Sequence, residues 1–178
     1  MTRVGEPFRP ASGRRSFLLE LGLVFCLAHA CVPVSEAEPP RADVPVDWND
    51  AQISWRPYFE GLAEAHSRGK PVLLIFYTDW CPHCHNYSRL FHDPEVVELS
   101  TRFVMIRVER DGNRELSARY NLDGDYVPRT FFLGPDATLM PGFETSAARY
   151  RYFLDEFSPG DLESRMRRAA PTAAVGSD

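Results

Sequence analysis

Two cysteines separated by two residues are the chemically most informative feature of this 178-residue chain. They are Cys81 and Cys84, in the segment Trp80-Cys81-Pro82-His83-Cys84. Cysteines at this spacing form a dithiol that can close into a disulfide and open again by thiol–disulfide exchange. The pair therefore predicts redox chemistry on sulfur, with no cofactor beyond the redox-active Cys81–Cys84 disulfide itself.

The two cysteines are expected to play different roles. Cys81 falls where an apolar strand gives way to a helix, so its sulfur should lie beside unpaired backbone N–H groups and the positive end of the helix dipole. Cys84, one turn further in, should be buried and protonated, which makes Cys81 the attacking thiolate and Cys84 the resolving thiol. His83 can donate to the thiolate or stabilise it by charge, and either effect would make the disulfide more oxidising. A solvated His83 without a role is the alternative.

A second motif, Tyr126-Val127-Pro128, is expected to lie against the dithiol. Pro128 is predicted to follow a cis peptide bond, which would present the backbone of Val127 to a substrate strand. A trans proline at a strand entry is the alternative. Trp80, Pro82 and Val127 are the predicted substrate contacts, although Trp80 could equally be a core residue.

The residues next to these motifs carry further expectations. Arg129 is expected to be a solvated side chain rather than a substrate-facing charge. The aromatic residues from Tyr150 to Phe157 are expected to be core rather than a peptide-binding surface.

Alternating helical and extended patterns surround these motifs and must position them. Apolar residues recur at helical spacing before Gly69, and Pro71 to Tyr77 reads as a strand buried on both faces. Helices are predicted at 58–68, after Cys81 and reaching Phe91, at 94–99, at 113–120 and from Ser158 onward. Strands are predicted at 71–77, 103–108, 129–133 and 138–140. This order predicts an α/β fold, a three-layer α/β/α sandwich with a central mixed β-sheet flanked by helices.

The N-terminal residues 1–30 read as an export signal. Arg14-Arg15 precedes a short apolar run, Leu21 to Ala28, and Ala28-His29-Ala30 is a small-x-small cleavage pattern. Cys31 follows at once and resembles the acylated cysteine of bacterial lipoproteins. An ordinary secretory peptide with an incidental cysteine is the alternative, and the arginine pair also resembles a twin-arginine signal. The sequence thus predicts an exported protein, in the periplasm or as a membrane-anchored lipoprotein of a bacterium.

Composition divides and limits the rest of the chain. Residues 31–47 are proline-rich and predict an extended linker, residues 48–170 a folded domain, and residues 171–178 a flexible tail. The net charge is −5, which argues against nucleic acid as a partner.

The domain resembles the thioredoxin-like superfamily. It is most similar to the anterior-gradient and small endoplasmic-reticulum thioredoxin-domain proteins and their bacterial relatives. The segments that carry the resemblance are Gly69-Lys70-Pro71, Trp80-Cys81-Pro82-His83-Cys84, Phe103-Val104-Met105, Gly124-Asp125-Tyr126-Val127-Pro128-Arg129, Phe132-Leu133-Gly134-Pro135 and Tyr150-Arg151-Tyr152-Phe153. The Cys-Pro-His-Cys centre is similar to that of DsbA-type oxidants. In one respect the chain departs from these families, because Ile75 stands where they carry a buried acid, and neither Asp79 nor Glu109 is a clear equivalent.

These observations predict an exported protein-disulfide oxidoreductase that leans toward oxidase or isomerase activity. Its partners would be protein thiols or disulfides and a membrane redox protein, with membrane attachment through a lipid on Cys31. A periplasmic thiol reductase, for example in cytochrome maturation, and a non-enzymatic client-binding module are alternatives. A copper or zinc site is a further alternative to the predicted absence of metal, with Cys81, His83, Cys84, His85 and His92 as candidate ligands.

Overall fold

A mixed sheet of four strands forms the centre of residues 44–170, the part of the chain that this computed structural model describes. The predicted export signal, Cys31, most of the proline-rich linker and the tail lie outside the described residues. The strands are β1 (Trp55–Arg56), β2 (Val72–Tyr77), β3 (Val104–Glu109) and β4 (Arg129–Leu133). The helices are α1 (Tyr58–Arg68), α2 (Pro82–Ser88), α3 (Pro94–Ser100), α4 (Arg114–Arg119) and α5 (Pro159–Ala169), with 3₁₀ turns at Arg89–His92 and Asp111–Asn113.

The strand order is β1-β3-β2-β4, with β1 and β2 parallel to β3 and β4 antiparallel to β2. In register, Leu74 of β2 lies opposite Ile106 of β3 on one side and Phe131 of β4 on the other. The side chains from Val72 to Phe76 are fully buried, as expected for a continuous apolar run at the centre of a sheet. The predicted α/β fold with a central mixed sheet is therefore confirmed.

Side chains set the ends of several helices. Asp93 caps α3 by accepting from the backbone N–H groups of Glu95 and Val96, at 2.8 and 3.4 Å, and Pro94 is the first helical residue. Helix α1 ends at Gly69, whose φ of 62° is the left-handed conformation that glycine adopts without strain. By contrast, Ser158 makes no side-chain hydrogen bond at the start of α5.

One strand was missed, and one strand prediction was wrong. The two-residue strand β1 was not predicted, because so short a segment has no measurable periodicity. The strand predicted at 138–140 is only an isolated bridge between Leu133 and Leu139. The backbone N–H of Met140 still donates to Phe132, but the next residue, Pro141, has no N–H with which to extend the ladder.

Packing begins before the predicted domain boundary at Trp48. Val46 is buried, and its N–H donates to the Asp79 carboxylate at 3.0 Å. Trp48 is fully buried, with its ring edge against Trp55 and Tyr77. These contacts fix the chain just ahead of the turn that carries the dithiol. None of the helices between residues 44 and 170 has the length and apolar character needed to cross a membrane.

Candidate active site

The dithiol lies where β2 ends and α2 begins. Cys81 is the N-cap residue of α2 and Pro82 its first helical residue, so the sulfur of Cys81 lies at the open end of the first turn. The backbone N–H of Cys84 donates to this sulfur over 3.3 Å. Both cysteines are free thiols, and both side chains are buried, with 3% exposure at Cys81 and none at Cys84. Only Cys81 thus retains any contact with solvent.

Hydrogen bonds separate the two cysteines electrostatically. The Cys84 thiol donates to the Cys81 sulfur, and this bond is the main reason that the pKa of Cys81 falls to about 6. The backbone N–H groups of Cys84 and His83 and the charge of His83 lower the Cys81 pKa further, against the effect of burial. The same thiol bond, together with burial, raises the pKa of Cys84. At neutral pH Cys81 is therefore a thiolate and Cys84 a thiol.

The segment ahead of β4 brings a carbonyl group to the dithiol. Val127 and Pro128 are buried, the peptide bond between them is cis, and the Val127 carbonyl oxygen lies 3.6 Å from the Cys81 sulfur. Because β4 runs antiparallel to β2, the start of β4 lies next to the end of β2. Cys81, Cys84, Val127 and Pro128 are therefore brought together as the sequence suggested.

His83 contacts a residue that sequence reasoning missed. Its Nδ1 lies 2.9 and 3.0 Å from the two carboxylate oxygens of Glu156, and its ring meets the ring of Phe153 at 5.5 Å. Asn86 also donates to Glu156, at 3.3 Å. Glu156 precedes α5, far from the dithiol in sequence, within a segment that was expected to supply only aromatic core residues. No local motif could have identified it.

Trp80 lies at the rim of the site and not in the core. Its side chain is half exposed, and its indole N–H donates to the Asp111 carboxylate at 2.8 Å. The guanidinium of Arg110 lies 5.6 Å from the Trp80 ring centre, within cation–π distance. The hydrogen bond from Trp80 lowers the pKa of Asp111. These contacts hold a broad apolar face beside Cys81.

The expectation that Arg129 is solvated was wrong, because its side chain is fully buried behind the site. It donates to the carbonyl oxygens of Tyr120 and Gly124, at 3.2 and 3.4 Å, and to the hydroxyl of Ser117. Its guanidinium also lies 5.1 Å from the Phe76 ring centre. Burial lowers the Arg129 pKa. These hydrogen bonds hold the loop that precedes Pro128 against the sheet.

An apolar groove of about 470 Å³ opens next to the dithiol. Its wall includes Tyr150, which is half exposed and has a left-handed backbone, with a φ of 59°. The predicted aromatic core is thus only partly correct, because Tyr152 is buried while Tyr150 and Phe157 are exposed. The groove is lined by His83, Tyr126, Val127, Ala147, Arg149, Tyr150 and Phe153.

No carboxylate takes the position of the buried acid. Ile75 is fully buried in β2, in register with Thr130. The two nearby acids are engaged elsewhere, because Asp79 accepts from the Val46 N–H and Glu109 accepts from the N–H groups that follow it. The departure read from the sequence is therefore present in the structure.

The imidazoles proposed as copper or zinc ligands do not converge. His83 binds Glu156, His85 Nε2 lies 2.8 Å from the backbone carbonyl oxygen of Asp79, and His92 pairs with Asp47 at 3.2 Å. Over residues 44–170, no three Cys, His, Asp or Glu side chains form a group that could hold a metal ion. The geometry thus favours sulfur chemistry over a copper or zinc site.

Comparison with known proteins gives the family of this chain. A family model of thioredoxin-like proteins matches residues 54–135. The human anterior gradient protein 2 homolog is 30% identical over 68% of this chain and 69% of its own length. The thiol:disulfide interchange protein DsbD 1 of Pseudomonas aeruginosa is 32% identical over 92% of this chain, but the match spans only 29% of that relative.

A solved structure agrees with these matches. A thioredoxin from Thermus thermophilus superposes with a TM-score of 0.52 at 28% identity, covering 67% of this chain and 88% of that one. The structural match and the sequence match to the anterior gradient protein each cover about two thirds of this chain. On this basis the chain belongs to the thioredoxin-like family.

Proposed function

We propose that the protein is a protein-disulfide oxidoreductase that acts as an oxidase or isomerase through Cys81 and Cys84. The observation that carries the proposal is the Cys81 sulfur, whose pKa of about 6 keeps it ionised while the neighbouring Cys84 remains a thiol. A thiolate stabilised in the reduced protein makes the corresponding disulfide a stronger oxidant.

In the oxidising direction, a substrate thiolate attacks the Cys81 sulfur of the Cys81–Cys84 disulfide. The Cys81–Cys84 bond breaks, and Cys84 leaves as a thiolate and takes up a proton. A second substrate thiolate then attacks the substrate sulfur of the mixed disulfide and expels Cys81, whose low pKa makes it a good leaving group. The substrate dithiol loses two electrons, and the Cys81–Cys84 disulfide gains them and becomes a dithiol. Isomerisation begins instead with attack by reduced Cys81 on a substrate disulfide.

The surroundings of the dithiol support a protein substrate. The Val127 carbonyl and the exposed face of Trp80 flank Cys81, and the apolar groove continues from the same edge. With Ile75 in place of a buried acid, water is the proposed proton carrier for Cys84. Cys84 must lose its proton whenever it resolves a mixed disulfide at Cys81, both in a reductase and in the reoxidation of an oxidase.

The experiment compares disulfide formation in reduced, unfolded ribonuclease A by the oxidised protein and its variants. We expect both Cys81→Ser and Cys84→Ser to abolish transfer, because neither variant can form the Cys81–Cys84 disulfide. With disulfide-scrambled ribonuclease A as the substrate instead, reduced Cys84→Ser should accumulate a mixed disulfide at Cys81. Cys31→Ser, a matched substitution outside the site, should oxidise the substrate like the unaltered protein. Oxidation by Cys81→Ser, or binding of the substrate without oxidation by the unaltered protein, would contradict the proposal.

The export signal predicted at residues 1–30 supports a location outside the cytoplasm, with Cys31 as a lipid attachment site and a membrane redox protein as the reoxidising partner. Mass spectrometry of the N-terminal peptide from bacterial membranes tests this part. A mature chain that begins at an acylated Cys31 is the expected result. An unprocessed chain in the cytosol would contradict it.

A further inference from the structure

Glu156 is a nearly buried carboxylate held against the helix that carries the dithiol. Its side chain is only 8% exposed, and burying a carboxylate is costly unless other groups pair with it. The Nδ1–H of His83 donates to it over 2.9 Å, and the Asn86 amide donates over 3.3 Å. His83 is 61% exposed, so the charged pair extends from the protein interior to the surface beside the dithiol.

This contact biases the charge of His83. The hydrogen bond that His83 donates to Glu156 is the main reason that the His83 pKa is raised, and the negative charge on Cys81 adds to it. Partial burial of His83 opposes both effects. The remaining charged or titratable side chains that line the groove shared with His83 are Arg149, Tyr126 and Tyr150.

The two charges of the pair act on different sulfurs. The positive charge of His83 favours the thiolate of Cys81. The negative charge of Glu156 acts on Cys84, where it favours the thiol. The pair therefore reinforces the division between an ionised Cys81 and a protonated Cys84.

We propose that Glu156 is a positioning residue that holds His83 as a cation beside Cys81 and thereby makes the Cys81–Cys84 disulfide a stronger oxidant. The inference rests on the proposed function. When the disulfide accepts two electrons from a substrate dithiol, one of the two released protons stays on Cys84 and the other goes to solvent. Cys81 is left as a thiolate, so any group that stabilises this anion favours the reduced product.

The test is the equilibrium of the full-length protein with reduced and oxidised glutathione at pH 7.5. Glu156→Gln keeps the size and one acceptor oxygen but removes the charge. We expect it to shift the equilibrium about threefold to tenfold toward the disulfide, where tenfold corresponds to about 30 mV for a two-electron couple. Asp155→Asn removes the same charge from the adjacent residue and should leave the equilibrium constant with glutathione unchanged. Glu156→Asp retains the negative charge, so its equilibrium should lie close to that of the unaltered protein.

A double-mutant cycle with His83→Ala separates this role from a structural one. Without His83, Glu156→Gln should no longer shift the equilibrium toward the disulfide. The inference would be overturned if Glu156→Gln shifted the equilibrium toward the disulfide equally with and without His83. It would also be overturned if Glu156→Gln caused no shift when His83 is present. If no variant exchanges with glutathione, the proposed function itself fails.

A measurement on the unaltered protein does not depend on the folding of any variant. Nuclear magnetic resonance of the reduced protein should show His83 titrating above the usual histidine pKa of about 6.5. Titration of His83 at or below that value would also overturn the inference.

Discussion

Replacing Cys84 by serine or by alanine should affect the ionisation of Cys81 very differently. The Cys81 sulfur accepts a backbone N–H at 3.3 Å and the Cys84 thiol, and the thiol makes the larger contribution to the lowered pKa. Serine retains a hydroxyl donor at this position, whereas alanine has none. The pair of variants thus isolates one hydrogen bond while the N-cap position of Cys81 is kept.

The size of the effect follows from that bond. A hydrogen bond to a charged group contributes about 1.5–3 kcal/mol, and one pKa unit corresponds to about 1.4 kcal/mol. Starting from a pKa of about 6, Cys84→Ala should therefore raise the Cys81 pKa to about 7–8. Cys84→Ser should leave it near 6. Because the folded-state pKa is depressed, the thiolate is present above it and is lost as the pH falls through it.

The assay is the rate of iodoacetamide alkylation of Cys81 between pH 4 and 10, resolved from the other cysteines by peptide mass spectrometry. The rate follows the thiolate fraction, so its midpoint reports the pKa. Thermal unfolding of each variant controls for loss of structure. Identical midpoints near 6 for both variants would refute the assignment of the low pKa to the thiol hydrogen bond. Identical midpoints near 8.5 would refute the role of the backbone N–H group as well.

Three further predictions concern the supports of the site. Arg129→Lys should destabilise the protein by about 3–5 kcal/mol in urea unfolding and Arg129→Met by less, because one ammonium group cannot span the separate acceptors that the guanidinium reaches and would be left as a poorly paired buried charge; the reverse order would contradict this. Gly61→Ala should cost about 1–3 kcal/mol, since its Cβ would lie 2.6 Å from a β3 side chain, while Gly160→Ala, with open space around it, should gain up to about 1 kcal/mol. Trp80→Phe removes the indole donor and should raise the pKa of Asp111, measured by carboxylate NMR, and an unchanged value would contradict the hydrogen bond.

Sequence patterns predicted those elements and site residues whose positions depend on neighbouring residues in the chain. The apolar run that forms β2 was predicted because its signal is local. The positions of Cys81 and Pro128 were predicted because the motif fixes one at a strand–helix turn and the other at a strand entry. The predicted strand at 138–140 failed because Pro141 ends the backbone pairing.

Long-range partners were not predictable in the same way. Arg129 was expected in solvent because arginine usually is, but the carbonyl oxygens of Tyr120 and Gly124 provide buried acceptors that no sequence pattern specifies. Glu156 reaches His83 only because the segment ahead of α5 packs beside α2. Contacts of this kind depend on the assembled fold and on no local spacing.

The reduction potential of the Cys81–Cys84 pair, measured against glutathione at pH 7, is the most direct test of the central claim that an ionised Cys81 makes this dithiol an oxidant. A potential between about −120 and −200 mV is the expected result, in the range of DsbA and protein disulfide isomerase. A value near −270 mV, where thioredoxin lies, would contradict it.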